Sequence, residues 1–410
     1  MAKPTVQAFI NFSTGPSFGE AAIIGSAVFG KNIFADSATT VVDVSDQVDQ
    51  IRVVRGRNAT VDQFQTGSLT IRLIDQNGDF NPENPASPYA GLLSPMRKIS
   101  ILGVHNGVTY PMFAGYITSY NTALPLNSND VARTTIQAVD GFRLANLAAV
   151  ATISGATAGE LSGSRINKIL DAINWPTAMR DIDPGLTTLQ ADPGTSRTAL
   201  AALQTVELSE YGSLYMDASG NFTFQDRELT SSSIAATPTL FSDVGEAGID
   251  YFDAKWVLDD KLIYNTASIT RAGGTPQITA DAASVEKYFL HSYSQTGLLM
   301  ETDADALNYG RAYVASRKDT SIRCDEITLD LFQDNYDAGI TAGLGLNYFD
   351  PVTISTNQPG GTNITKTLQV FGVEHDVTPG RWVTKFTTLE PIIDAVIVGY
   401  AIIGQSVFSY

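Results

Sequence analysis

Apolar and polar residues alternate with period two along much of this chain. In SLTIRLID (68–75), Leu69, Ile71 and Leu73 fall on one face, the pattern of a half-buried strand. TVVDVSDQVDQIRVVRG (40–56) and ARTTIQAVDGF (132–142) read the same way, and Val6 to Phe12 is strand-like. In KISILGVHNGVTYPMFAGYITSY (98–120), His105-Asn106-Gly107 separates two apolar runs and predicts a hairpin turn. Strands at this spacing fit a barrel or a sandwich.

The period changes after residue 150. In SRINKILDAINWP, Ile166, Ile169, Leu170 and Ile173 follow i, i+3, i+4, i+7, one helical stripe ended by Pro176. TSRTALAALQTVELSEYG predicts a second helix, with Thr195 or Ser196 as N-cap and Gly212 as C-cap. SLYMDASGNFTFQDR gives two short strands around Ser219-Gly220-Asn221. Strands then return in KLIYNTASITRAGG, RCDEITLDLF, DPVTIST, TKTLQVFGVEHDVTPG and RWVTKFTTLEP. Among them TDADALNYGRAYVASRKD is a helix whose Thr302 and Asp305 fit a capping box.

At 410 residues the chain exceeds one hydrophobic core. Five segments are expected. They are an N-terminal arm (1–36), a first β-domain (37–150), a small α+β module (151–245), a second β-domain with a helix (246–391) and an apolar extension (392–410). The two β-regions echo each other. Phe113-Ala-Gly115 precedes a turn and Thr134-Thr-Ile; Phe371-Gly372 precedes Pro379-Gly380 and Thr384-Lys-Phe. AAIIGSAVFG (21–30) and AIIGQSVFSY (401–410) are also alike. The fold class predicted is mainly β (α+β), with two β-barrel or sandwich domains around the module.

Net charge is −17 and no basic stripe occurs, which argues against a surface that grips nucleic acid or anionic lipid. The apolar run near the C-terminus contains Asp394 and is too short to span a bilayer, so no membrane insertion is predicted. No secretory leader is visible. Cys324 is the only cysteine and is expected as a buried small hydrophobe. Asn58-Ala59-Thr60 fits the glycosylation pattern but carries little without secretion.

Candidate chemistry is sparse. Gly15-Pro16-Ser17-Phe18-Gly19 matches G-x-S-x-G, yet the alternating βα units of a nucleophile elbow are missing. Glu374, His375 and Asp376 lie on a strand and point to alternate faces, so they do not converge on one metal; His375 reads as a surface or interface residue. Asp259-Asp260 reads as a solvated turn. Ala272-Gly273-Gly274-Thr275 lacks the Lys-Ser/Thr of a phosphate loop. Asp75, Asn77 and Asp79 match the first ligand positions of an EF-hand, but Phe80 stands where its glycine belongs and Ala86 where its final Glu belongs. Asn77-Gly78 reads better as a hairpin turn, and Pro82, Pro85, Pro88 and Pro95 as a stiff extended loop. No enzyme, cofactor or metal is predicted.

The order of RGR (55–57), TGSLTIRLIDQNGDFNPENPASPYAGLLSPMR (66–97), YPMFAGYI (110–117), LYMDASGNFTFQDR, NTASITRAGGT and GVEHDVTPGRWVTKF resembles minor tail proteins of long-tailed bacteriophages over most of residues 50 to 390. The resemblance implies a baseplate or tail-tip hub with two tube-like barrels per chain. It implies a homotrimer whose six barrels continue a sixfold tube. Partners would be tail-tube, tape-measure and tip or fibre proteins. Phage DNA would pass through the lumen without specific binding, and the protein would be made in the host cytoplasm and built into the virion. The expected contact residues are Asp75, Asn77, Gly78, Asp79, Phe80, Pro82, Pro88, Tyr89, Pro379, Gly380, Arg381 and Trp382. The alternative is a carbohydrate-binding adhesin, for which Trp175, Trp256 and Trp382 are candidate platforms.

Overall fold

The three apolar positions of SLTIRLID sit in the middle of a long β-sheet. In the computed structural model, which describes residues 3–12, 20–21, 32–33, 41–57, 62–123, 131–244 and 248–390, Leu69, Ile71 and Leu73 are fully buried. The sheet has 13 strands. In chain order they are β1 (Thr5–Asn11), β2 (Val41–Asp43), β3 (Val48–Gly56), β4 (Gln65–Ile74), β5 (Lys98–His105), β6 (Val108–Ala123), β7 (Arg133–Val139), β8 (Thr239–Ser242), β9 (Asp253–Val257), β10 (Arg323–Asp330), β11 (Pro351–Thr356), β12 (Ile364–Thr378) and β13 (Arg381–Leu389). The hydrogen-bonded path runs β9-β10-β13-β12-β3-β4-β7-β6-β5-β1-β2, with β11 also on β12 and β8 on β11.

The two β-regions are therefore continuous. β3 pairs with β4 on one side and with β12 on the other, from Gly56↔Gly372 to Ile51↔Val377. Register follows the apolar alternation: Ile51, Ile71 and Ile136 stand side by side on β3, β4 and β7, all fully buried. A one-residue slip would turn every one of them to the opposite face. The β5–β6 hairpin closes through Asn106 (φ 49°) and Gly107 (φ 78°), the two left-handed positions of a type I′ turn.

Two helices of the middle module pack together, α1 (Ser162–Ala172) and α2 (Ala199–Glu210). Ile166, Ile169 and Leu170 are buried as the stripe requires, and Ile173 comes just after the last helical residue, half-buried. The caps of α2 differ from the sequence expectation. Arg197–Thr198 forms a short strand against Ala149–Val150, so the chain is extended until Thr198, whose side chain accepts the Ala201 N–H. At the other end Tyr211, not Gly212, takes the left-handed conformation (φ 61°); its ring is held edge-on to Tyr309 at 4.6 Å. The strands Ser213–Met216 and Phe222–Gln225 flank the predicted Ser219-Gly220-Asn221 turn.

A separate lobe interrupts the last β-region. Strands Thr266–Arg271, Gln277–Ala280 and Ser292–Leu298 form a three-stranded sheet. Helix α3 (Asp303–Arg317) starts in the Thr302–Asp305 capping box and covers one face. Ala267, Ile269, Leu298, Tyr309 and Tyr313 make a second core there. Gly310 permits the close approach: a Cβ would stand 3.1 Å from Thr279 Cγ2.

The lobe joins the rest through polar contacts as well as aromatic rings. Asp62, between β3 and β4, accepts Arg317 at 2.6 Å and the Tyr313 hydroxyl at 2.8 Å. Gln63 donates to Glu207 on α2, which also accepts the Leu214 N–H at 2.8 Å; burial pushes the Glu207 carboxyl up to about 8. Gln190 bridges to the Ala272 and Met300 carbonyls. No helix among the described residues is long and apolar enough to cross a membrane.

Candidate assembly surface

Asp75 lies just past the end of β4 and is buried, and its carboxylate organises the loop that leaves the strand. It accepts the Asp79 N–H at 2.6 Å, the Phe80 N–H at 3.2 Å and the Thr134 hydroxyl at 2.7 Å. These are the donors a carboxylate needs when it is taken out of water. The Asp75 carboxylate thus acts as a loop anchor, and no metal-binding group of three His, Cys, Asp or Glu residues occurs among the described residues.

Residues 77–90 do not form a simple hairpin. Gly78 donates to the Asp75 carbonyl, so a turn is present, but it opens a series of turns and not a two-strand hairpin. Asn81→Gly78, Asn84→Asn81, Ser87→Asn84 and Ala90→Ser87 N–H to carbonyl bonds succeed it at 3.0–3.1 Å. The prolines are not in an extended loop. Pro82, Pro85 and Pro88 each stand second in a turn whose first residue is Asn81, Asn84 or Ser87. Proline presets φ at that position, and Asn or Ser at the first position bonds the backbone two residues on. Asn81 Oδ1 accepts Glu83 N–H and Asn84 Oδ1 accepts Ala86 N–H. The Asn84 amide also ties back to the Asn77 and Gly78 carbonyls, both at 3.0 Å.

Aromatic rings fix this platform from below. Phe80 is fully buried, Tyr89 lies 5.2 Å from it, and Phe12 stacks on Tyr89 at 4.9 Å. The Met96 N–H to Ile117 carbonyl bond and the Ile117 N–H to Arg97 carbonyl bond return the chain to β6. Pro82, Glu83, Pro85, Ala86 and Pro88 face solvent on top.

The β12–β13 hairpin tip is a second exposed feature. Pro379, Gly380 and Arg381 are exposed, and Gly380 donates to the Thr378 carbonyl at 2.7 Å. Trp382 is buried, its ring against Gly103 of β5. Its indole N–H points at His375 Nδ1 (3.4 Å), which also meets the Thr384 hydroxyl at 2.9 Å. His375 is a core residue and not a surface one; burial, reinforced by Arg55, pushes it down to about 3.

The predicted contact set therefore divides. Asn77, Pro82, Pro88, Pro379, Gly380 and Arg381 are exposed, Gly78, Asp79 and Tyr89 are half-buried, and Asp75, Phe80 and Trp382 lie in the interior. The platform joins β5 at Lys98 and Trp382 packs at Gly103. Five residues of strand, about 17 Å, separate those two anchors.

Other sequence candidates resolve locally. Asp259 is an ion-pair partner of Arg323 (2.8 Å) and Lys261 rather than a free turn residue; although some burial opposes it, Arg323 and the Lys261 N–H hold its carboxyl below the usual range. Burial pushes the Cys324 thiol up to about 12, which leaves it inert. Trp175 is buried and Trp256 is half-buried, donating to Thr356 at 2.8 Å. Ser17, the Asn58 sequon, residues 22–30 and the 392–410 extension lie outside the described residues, whereas Thr5–Asn11 of the expected N-terminal arm pairs with β5 and belongs to the large sheet. Pattern reading missed several exposed apolar side chains, above all Phe289 (81% exposed) and Ile278 (67%) on the lobe. The only sequence signal was the Phe289-Leu290 pair just past the charged end of a short helix.

No family model matches this sequence, and no curated protein matches it either. Solved structures do. The 43 kDa tail protein of prophage MuSo2 from Shewanella oneidensis superposes with a TM-score of 0.54 at 12% identity, covering 87% of this chain and 97% of that one. The tail protein from Neisseria meningitidis MC58 gives 0.57 at 10% identity, covering 96% and 98%. The chain has the fold of these phage tail proteins over nearly its whole length.

Proposed function

We propose that this chain is a structural protein of a bacteriophage tail tip, the hub that continues the tail tube and connects it to tip or fibre proteins. The observation that carries the reading is the fold shared end to end with two tail proteins. The two β-regions of residues 37–150 and 246–391 would each supply a tube-like unit, with the module of 151–245 between them. Three chains would then give six units in a closed ring. The turn platform at 77–90 and the hairpin tip at 379–381 would meet neighbouring tail subunits, supported from beneath by Asp75, Phe80 and Trp382. The net charge of −17 fits a lumen that repels phosphates and lets DNA slide during ejection. Localisation would be the virion.

The reading has a direct test in mass photometry and negative-stain imaging of the purified protein, alone and with tail-tube partners. Threefold rings with an open centre are expected. A chain that stays monomeric under both conditions would sink the hub, and a lumen lined by Lys and Arg would sink the conduit. Trp175 and Trp382 are buried, which leaves the adhesin alternative only the half-buried Trp256, whose indole N–H is bonded to Thr356.

A further inference from the structure

Among the described residues, the three-stranded sheet of the lobe is covered on one side. Helix α3 packs there on Ala267 and Ile269, with Gly310 at the closest approach. On the opposite side two rows of side chains cross the sheet. Ile278 stands beside Ser268 and Ser294, and Ala280 beside Thr266 and Ser292. Ile278, Ala280, Ser292 and Ser294 are exposed. Neither row holds a charge, in a chain with 43 acidic and 26 basic residues. A sheet face that stays in water is ordinarily built of strongly polar side chains, whereas this one offers Ile, Ala and short hydroxyls.

Phe289 and Leu290 lie where the chain enters the strand Ser292–Leu298, and both are exposed. Phe289 has φ 66° and ψ −179°, a combination that essentially only glycine adopts without strain. Its surroundings hold it there. Asn265, fully buried, donates to the Phe289 carbonyl at 2.7 Å and accepts the His291 N–H at 2.9 Å. The Phe289 N–H itself closes the helix Ala282–Tyr288 on the Val285 carbonyl. A buried side chain thus pins a strained residue, and the result is two large apolar side chains in water. Such an arrangement marks a surface that is covered in use.

The described chain ends beside this lobe. Glu390, its last residue, accepts the Ser321 hydroxyl at 2.6 Å. Leu389 and Glu390 border one cleft with Leu262, Ile263 and Ser316 at the foot of the lobe. Just before Ser321 in the chain, the Lys318 carbonyl accepts the hydroxyl of Ser284, on the helix that leads to Phe289. The chain exit and the Phe289 corner therefore share the segment 318–321, about 10 Å of chain. Residues 391–410 follow Glu390 and reach about 65 Å when extended, which is more than enough to cross the strand Ser292–Leu298. Asp394 is the one charged side chain between 392 and 410. Such a segment gains by leaving water.

We propose that residues 392–410 pack across the open face of the lobe of their own chain, against Ile278, Phe289 and Leu290. The face lacks charge, the segment is apolar, and the chain exit lies at the near end of the face. The similar apolar stretch 21–30 is the weaker occupant, because Thr5–Asn11 lies at the opposite end of the large sheet from β10 and β13. The proposal rests on the lobe and the chain exit and does not depend on the tail-hub reading.

Photo-cross-linking of the full chain tests it, with a benzophenone amino acid in place of Ile278. The expected product runs at monomer mass on a denaturing gel, and its cross-link maps by mass spectrometry to residues 392–410. Cross-links confined to residues 13–31, to another chain or to no protein segment overturn the proposal. Limited chymotrypsin cleavage after Tyr400 gives a second readout. Ile278→Asp and Leu290→Asp change exposed side chains, so the fold is retained, as circular dichroism checks. Each should speed that cleavage about ten-fold, the effect of losing one buried aliphatic side chain. Val108→Asp puts the same charge on an exposed apolar position of β6 and should leave the rate unchanged. Unchanged cleavage in the two lobe variants, or equal acceleration by Val108→Asp, overturns the proposal as well.

Discussion

The carboxylate of Asp75 accepts the hydroxyl of Thr134 at 2.7 Å, across 59 residues of sequence. The bond ties the start of the turn platform to β7. Asp75→Ala would leave the Asp79 and Phe80 N–H groups without their acceptor and Thr134 with only the Thr122 hydroxyl at 3.2 Å. We expect a loss of about 2–4 kcal/mol in urea unfolding, and new proteolytic cleavage between residues 76 and 95. Thr134→Val removes this bond and the longer contact with the Thr122 hydroxyl (3.2 Å) but spares the two loop N–H groups, and should cost about 1 kcal/mol without new cleavage. Equal losses from the two variants would contradict the anchoring role.

Within the platform, prolines and asparagines do different work. Pro85→Ala should cost under about 1 kcal/mol, because its effect is on the unfolded chain. Asn84→Ala should cost more, since the side chain bonds Asn77, Gly78 and Ala86. Chemical denaturation of the two single variants gives the order directly.

The lobe is held by Asp62 against Arg317. Asp62→Ala takes the carboxylate from the part-exposed Arg317 pair and from the Tyr313 hydroxyl, a loss of about 1.5–3 kcal/mol. Calorimetry should then show the lobe melting ahead of the large sheet. A single unshifted transition would show that the apolar and tyrosine contacts suffice.

Acid response divides between buried groups of opposite sign. Glu207 titrates near 8 when folded against about 4.5 unfolded. The folded state therefore binds the extra proton, and this group lowers stability as pH rises from about 4.5 to 8. Glu207→Gln should reduce that slope, the rest coming from Asp140, which burial pushes up to about 7. His375 is held near 3 against 6.5 unfolded, so here the unfolded state takes up the extra proton and stability falls as pH drops below about 6.5. His375→Asn keeps an acceptor for Thr384 and should flatten the acid limb. Melting temperatures of both variants between pH 4 and 9 would settle the signs.

Features that depend on near neighbours were legible in the sequence. The β4 alternation, the Asn106-Gly107 turn and the Thr302–Asp305 box each need only a few residues, and each stands as read. The Asn-Pro, Asn-Pro, Ser-Pro spacing at 81–88 was equally local, but reading proline as extended hid the turn positions it fills. The α2 start was misplaced because a strand partner near residue 150 holds Arg197–Thr198 extended. His375 and Asp62 could not be placed from pattern at all. The surroundings of His375 include Arg55 and Thr384 on neighbouring strands, and Arg317 lies 255 residues beyond Asp62.

The pairing of β3 with β12 sets an order of events during synthesis. β3 is complete at Gly56, whereas β12 begins only at Ile364, about three hundred residues later. At roughly 5–20 residues per second, a ribosome needs about 15–60 s to deliver that partner. For that interval one whole side of β3 has its backbone N–H and carbonyl groups unpaired, an edge open to any other nascent strand. Yield in an expressing cell should therefore depend on translation speed and holdase supply as much as on the stability of the finished molecule.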